Sequence, residues 1–300
     1  MTTSKEDLIR QLSDSGMAVI ATEIAALSRE AFRIQTSAAT DEALPIGVSK
    51  LGGLPDLPAS IAWPDREGAA LAFLGQISLR EIPSPSSLPQ DGVVSFFYDN
   101  AQNSWGFDPK DQNSFRVLYF PVSEELRRAP SPVKEKPPSL WQKIKRSARE
   151  RSESYFQVFA TRRLAFIPFQ SIPDPCAKLL EGPLRDPQDQ EMYANFFEEY
   201  SHQGPAHQLL GWPTVIQNEM ELECQLVTNG IYVGDSTGYK HPRRAALEKG
   251  THDWILLLQV DSDDDAHMMW GDAGMLYFWI RQQDLAQAAF RKTWCILQCH

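Results

Sequence analysis

Apolar residues gather in short blocks along this chain, and the two most continuous blocks bracket an acidic loop. One is Trp254-Ile255-Leu256-Leu257-Leu258-Gln259-Val260, the other Met275-Leu276-Tyr277-Phe278-Trp279-Ile280. Both are too short for independent helices and rich in aromatic and branched side chains, so they predict strands buried on both faces. Between them Asp261, Asp263, Asp264, Asp265 and Asp272 stand with His267, Met268, Met269 and Trp270 in a loop too long for a tight hairpin turn. Blocks at Leu71 to Leu79, Asp91 to Tyr98 and Phe115 to Pro121 predict three strands of one sheet. Tyr155 to Phe159, Leu164 to Phe169 and Trp294 to Cys299 predict further strands.

Helical periodicity is confined to a few places. Ser4 caps a helix whose first turn carries Glu6 and Asp7 and whose apolar face is Leu8, Ile9 and Leu12; Ser13 to Gly16 stops it. The spacing of Ile20, Ile24, Ala25 and Leu27 predicts a second helix from about Ala18 to Arg29. Asp186-Pro187 opens another, with Met192, Phe196 and Tyr200 on one face and Gly204 at its end. A proline-rich linker through Pro130, Pro132, Pro137 and Pro138 leads to a basic helix, Leu140 to Glu150, with Trp141, Ile144 and Ala148 on one side.

Several blocks recur in the same order. Leu210-Gly211-Trp212-Pro213 echoes Gly52-Gly53-Leu54-Pro55, and Leu257 to Asp261 echoes Leu74 to Ser78. Gly274 to Phe278 echoes Gly92 to Phe96, and Trp294 to Cys299 stands where Phe115 to Phe120 stood. This order predicts an internal duplication, two related halves about an approximate twofold axis, with Gln76 and Gln259 equivalent. The expected fold is α+β with mainly antiparallel sheets. Its expected parts are N-terminal helices (1–44), a first sheet repeat (45–122), an insertion with the basic helix (123–206) and a second sheet repeat (207–300).

Three separated motifs carry a family resemblance. They are Ser49-Lys50-Leu51-Gly52-Gly53-Leu54-Pro55 with Trp63-Pro64; His207-Gln208-Leu209-Leu210-Gly211-Trp212-Pro213 with Ile216-Gln217; and Trp270-Gly271-Asp272-Ala273-Gly274 leading into Tyr277-Phe278. In this order they resemble the bacterial YwqG-like family, a domain of unknown function, over roughly residues 45 to 300. The basic stretch Lys134 to Arg151 matches least. The resemblance implies an α+β fold with internal pseudo-symmetry and no established activity. It also implies an occasional place beside polymorphic toxins, where immunity proteins are encoded.

Composition narrows the function. A formal charge of -10 disfavours nucleic acid as a general partner and favours a basic one. No uninterrupted apolar run is long enough to span a bilayer, and the charged N-terminus lacks a signal peptide's apolar region, so a cytoplasmic protein is expected. Cys176, Cys224, Cys295 and Cys299 show no paired spacing and are expected to be mostly buried thiols.

The chemistry offers few signatures. Asp261, Asp263, Asp265 and Asp272 fall at positions one, three, five and twelve of a calcium-loop pattern. Yet Ala266 replaces the turn glycine, and the last ligand is Asp rather than Glu. Gly234 to Lys240 lacks the Gly-Lys-Ser/Thr ending of a phosphate loop, and the histidines and cysteines form no zinc or nucleophile motif. His207, just before the Gly-Trp-Pro turn, is expected at the seam between halves, and Gln76 and Gln259 are expected to bond backbone across that seam or to line it as a cleft. Ligand or partner contacts are therefore expected at His207, Gln76, Gln259, Asp263, Asp264, Asp265 and Asp272. The leading expectation is a non-catalytic binding protein, an immunity protein covering a basic toxin. A small-ligand or calcium-binding protein comes next, and an enzyme with an unrecognised site last.

Overall fold

A computed structural model describes residues 4–83, 86–132, 156–201 and 204–300; the predicted basic helix at Leu140 to Glu150 lies outside them. The fold is α+β. Its strands are β1 (Arg29–Ala38), β2 (Lys50–Leu51), β3 (Asp56–Pro58), β4 (Asp65–Arg66), β5 (Ala69–Ala70), β6 (Ala72–Ser78), β7 (Val93–Tyr98), β8 (Phe115–Phe120), β9 (Leu126–Arg128), β10 (Arg162–Ser171), β11 (Gln208–Leu209), β12 (Trp254–Asp261), β13 (Met275–Arg281) and β14 (Trp294–Gln298). Ten of them form one antiparallel sheet in the order β14-β13-β12-β11-β1-β10-β2-β6-β7-β8.

The middle of this sheet is the ten-residue pairing of β1 with β10, from Arg29 opposite Ser171 to Ala38 opposite Arg162. Two-residue strands link it outward. β11 joins β1 to β12, and β2 joins β10 to β6. Beyond them stand two three-stranded meanders, each with a register shift in its first pairing, at Phe73/Gly75 and at Leu256/Leu258. The sheet curls into a nearly closed barrel, because its two ends meet through buried aromatics: Phe96 packs edge-on to Phe278, and Phe115 to Trp294. Trp294 also donates its indole N–H to the carbonyl of Gly106, and the Leu297 amide donates to Trp105.

The apolar runs behave as their pattern requires. Leu256, Leu258, Leu276, Phe278, Ile280 and Phe96 share the main core with Phe32, Ile34 and Leu74. Helix α1 (Lys5–Leu12) begins at a capping box between Ser4 and Asp7, and Gly16 turns the chain at φ 89°. With α2 (Ala21–Leu27) and the helix Pro187–Ser201 it buries a second core. Leu8, Leu12, Ile24, Tyr193 and Phe197 meet Phe169 and Ile172 there, at one end of β10. No helix among the described residues is long and apolar enough to cross a membrane.

Three expectations need correction. The second helix does not reach Arg29: it stops at Leu27, Ser28 is already extended (ψ 151°), and β1 follows at once. Its alternation is short, since only Phe32 and Ile34 alternate with Arg33 and Gln35, and helix-forming Arg and Glu begin it. Nor do segments 1–44 and 123–206 stand apart from the sheet, for they supply its two longest, central strands. The predicted strand Tyr155 to Phe159 is not formed at 156–159; Phe159 instead packs edge-on against Trp270.

Candidate functional site

The acidic loop leaving β12 is held in one shape by its own polar groups. Asp263 and Met268 exchange both backbone hydrogen bonds, and Asp263 Oδ1 accepts from the amides of Asp265 (2.8 Å) and Ala266 (3.2 Å). Ser262 Oγ donates to the Gly274 carbonyl and accepts from the Trp270 amide, while the Trp270 indole donates to the Asp261 carbonyl. Neighbouring segments clamp it further: Gln102 bonds both Met269 and Gly271, and the Ala160 amide donates to Ala266. Trp270 is buried as the loop's anchor, whereas Asp264, Asp265, Met269 and Asp272 are exposed.

His207 fastens this loop to the rest of the sheet. It is buried, its Nδ1 accepts from the Asp261 amide at 3.0 Å, and its Nε2 lies 3.2 Å from Asp263 Oδ2. With Nδ1 accepting, the ring proton sits on Nε2 and is donated to Asp263. That bond is the main reason the Asp263 carboxyl titrates below the ordinary range; burial pushes Asp261 the other way, against its bond from the Ala206 amide at 2.7 Å. Leu210 (φ 61°) and Gly211 (φ 79°) then turn the chain. A Cβ on Gly211 would come within 2.2 Å of Ser171 Oγ, so only glycine fits there.

Beside the loop lies a cleft of about 760 Å³. Its floor is Arg33, Ile34, Gln35 and Thr36 of β1 with Arg162 of β10, and its wall is Ser262 to Asp265, Met269 and Ala273. Asp265 pairs with Arg162 at 2.8 Å, and Arg33 is spent on the Tyr200 carbonyl and the ring of Phe169. Gln76 and Gln259 are not in it. Both are fully buried, and each bonds backbone beside its own strand instead of lining the cleft. Gln76 donates to Val48 and accepts from Asp56, while Gln259 donates to Ala206 and accepts from Thr214.

Over residues 49–299 the chain matches the model of a domain of unknown function, DUF1963. The chain belongs to the DUF1963 family. No curated protein matches it.

In this DUF1963 chain the expected contact residues therefore separate. Asp264, Asp265 and Asp272 reach solvent, whereas Asp263, His207, Gln76 and Gln259 are consumed by the scaffold. Asp261, Asp263, Asp265 and Asp272 are not gathered around a common point: two carboxylates are taken by amides, one by Arg162. Among the described residues no three His, Cys, Asp or Glu side chains are grouped to hold a metal. Cys224, Cys295 and Cys299 are buried thiols and Cys176 is exposed.

Two further polar features of the DUF1963 chain were not among the expected contact sites. One is a buried ion cluster. Lys50 pairs with Asp41 (2.5 Å), Arg128 pairs with both Asp41 (3.0 Å) and Asp56 (2.6 Å), and the Gln76 amide donates to Asp56 (2.7 Å). The other is Glu223, half-buried on the helix Glu221–Val227, whose carboxyl burial pushes up to about 7. A carboxyl raised in the folded state holds a proton the unfolded chain releases near pH 4.5. Stability contributed by this group thus falls as the pH rises from 4.5 to 7, by about 3 kcal/mol in full. Glu223→Gln is expected to stabilise the protein by about 2–3 kcal/mol at pH 8 and to change little at pH 4.5. Urea unfolding at both pH values checks this; an equal effect at the two would show that Glu223 is ordinary.

Proposed function

We propose that this chain is a non-enzymatic binding protein of the YwqG-like kind, an immunity protein that captures a basic bacterial toxin in the cytoplasm. The observation that carries the reading is the acidic loop, where exposed Asp264, Asp265 and Asp272 stand on a backbone fixed by Asp263, Ser262 and Trp270. Side chains presented from a fixed backbone lose little entropy on docking, and a formal charge of -10 speeds encounter with a cationic partner.

The reading includes an internal duplication, supported by the sheet order, which has a meander, a two-residue strand and a ten-residue strand from either end. It is supported too by bonds that match at constant offsets. Gln76 and Gln259 serve Val48 and Asp56, or Ala206 and Thr214, in the same way. The Ile34 amide donates to His207 as Leu164 does to Ser49, and the Asp261 amide donates to the side chain of His207 as Ser78 does to that of Ser49.

Toxin binding is tested by co-purification from the native host followed by association kinetics. Neutralising Asp264, Asp265 and Asp272 together to asparagine is expected to slow association roughly tenfold at low salt and flatten its salt dependence. Thermal stability should stay nearly unchanged, because only the exposed Arg162 pair is lost. An unaltered on-rate would place the contact elsewhere, and recovery of no toxin-like partner would end the immunity reading.

A further inference from the structure

The floor of the cleft is an unfinished strand edge. β1 pairs with β10 over all ten of its residues, but with β11 only through Phe32 and Arg33. The last contact on that side is the Ile34 amide donating to the His207 carbonyl at 2.9 Å. Backbone groups alternate sides along a strand, so the N–H and C=O of Thr36 and Ala38 face the same way as those of Ile34. The chain that could have continued the pairing leaves at Pro205, which has no N–H, and Gly204, at φ 100°. Among the described residues nothing pairs with Thr36 or Ala38 on this side, and Gln35, Ser37 and Ala38 are exposed.

The neighbouring strand makes the contrast. β10 also outruns its short partner, pairing with β2 only through Arg162 and Arg163, after which Leu164 donates to Ser49. There the outward positions are Phe166 and Pro168, and proline at such an edge removes the donor an incoming strand would need. β1 has no such block at Thr36 or Ala38.

From this geometry we infer that the cleft captures an extended, basic peptide segment, which adds as a short strand beside Gln35 to Ala38. This deepens the binding-protein reading, rests on it, and names its mode. Thr36 and Ala38 together offer two donors and two acceptors, enough for a segment of about four residues, or about 13 Å. The occupant is basic because the facing wall carries Asp264, which forms no ion pair among the described residues, and Asp265, whose bond to Arg162 is exposed. Arg33 keeps its charge, but its guanidinium is engaged by the Tyr200 carbonyl and the Phe169 ring rather than by the aspartates of the wall. Alternate side chains of an added strand would turn to Met269 and Ile34, so an alternating basic and apolar pattern fits best.

The test uses the full chain and a capped octapeptide of alternating lysine and valine. Its controls are the same peptide N-methylated at alternate amides and a glutamate-valine counterpart. The lysine peptide is expected to bind and to slow hydrogen exchange at the Thr36 and Ala38 amides at least tenfold; both controls should bind roughly tenfold more weakly or worse. Thr36→Pro copies onto β1 the proline that β10 carries. Because the Thr36 amide is not used by β10, this variant should keep its fold and lose the peptide. Equal binding of the N-methylated peptide, no protection at Thr36 and Ala38, or undiminished binding by a folded Thr36→Pro would each overturn strand addition. Should Thr36→Pro not fold, the methylated peptide against wild type still decides. A toxin bound undiminished by Thr36→Pro would leave immunity standing without strand addition; peptide capture with no toxin partner would do the reverse.

Discussion

Asp263→Ala is expected to destabilise the protein by about 3–5 kcal/mol, whereas Asp264→Ala next to it should stay within about 0.5 kcal/mol of wild type. The difference follows from what the two carboxylates touch. Asp263 is 4% exposed and accepts from the amides of Asp265 and Ala266 and from His207 Nε2. Truncation leaves three donors without a partner, two of them main-chain, in a place water reaches poorly, and each costs about 1–3 kcal/mol less any relaxation. Asp263→Asn should be nearly as damaging. Its NH2 would confront the Nε2–H of His207, and the ring cannot change tautomer without giving up the Asp261 amide at Nδ1. Urea unfolding of the three variants measures this; an Asp263→Asn protein as stable as wild type would refute the assigned tautomer. The pH dependence has a definite sign. The Asp263 pKa is lowered on folding, so its contribution is present above the unfolded value and is lost as the pH falls through the lower folded one.

Those neighbouring aspartates also mark where sequence reading stops. The strands on either side were legible because near-continuous apolar runs at β12 and β13 leave little choice, and the same holds for β7 and β8. Asp263, Asp264 and Asp265 look alike in sequence. Which of them turns inward is set by the Asp263–Met268 pairing and by His207, which is 56 residues away along the chain. Gln76 and Gln259 were conspicuous as amides within apolar strands, and that prominence reflected buried backbone needing partners rather than a ligand. β1 was hidden by its composition, since Arg29, Glu30 and Arg33 extend a helical pattern that Ser28 in fact ends. The unpaired edge in the cleft has no side-chain signature at all. It results from β11 being two residues long, a property of the backbone path through Gly204 and Pro205.

The buried ion cluster was equally silent, because its members come together from Asp41, Lys50, Asp56 and Arg128, the first and last 87 positions apart. Lys50→Met is expected to cost about 3–5 kcal/mol, the range for removing one partner of a buried pair. Lys50 is fully buried, and burial lowers its pKa although Asp41 opposes the shift. Its ammonium bonds Asp41 and the Leu54 carbonyl. Methionine fills the space of the stem but leaves that carbonyl unpaired and two carboxylates, Asp41 and Asp56, sharing the single charge of Arg128. Lys50→Gln separates these two losses. A glutamine at this place in a two-residue strand is already used by the protein: Gln208 on β11 donates its amide to the carbonyls of Leu210 and Trp212. Glutamine at position 50 can serve the Leu54 carbonyl in that manner and still lacks the charge Asp41 requires, so its cost should be about half that of methionine. Equilibrium unfolding of both variants at pH 7 provides the comparison. If methionine and glutamine cost the same, the carbonyl bond contributes nothing and charge alone holds the cluster; if methionine is tolerated, Arg128 suffices for both carboxylates.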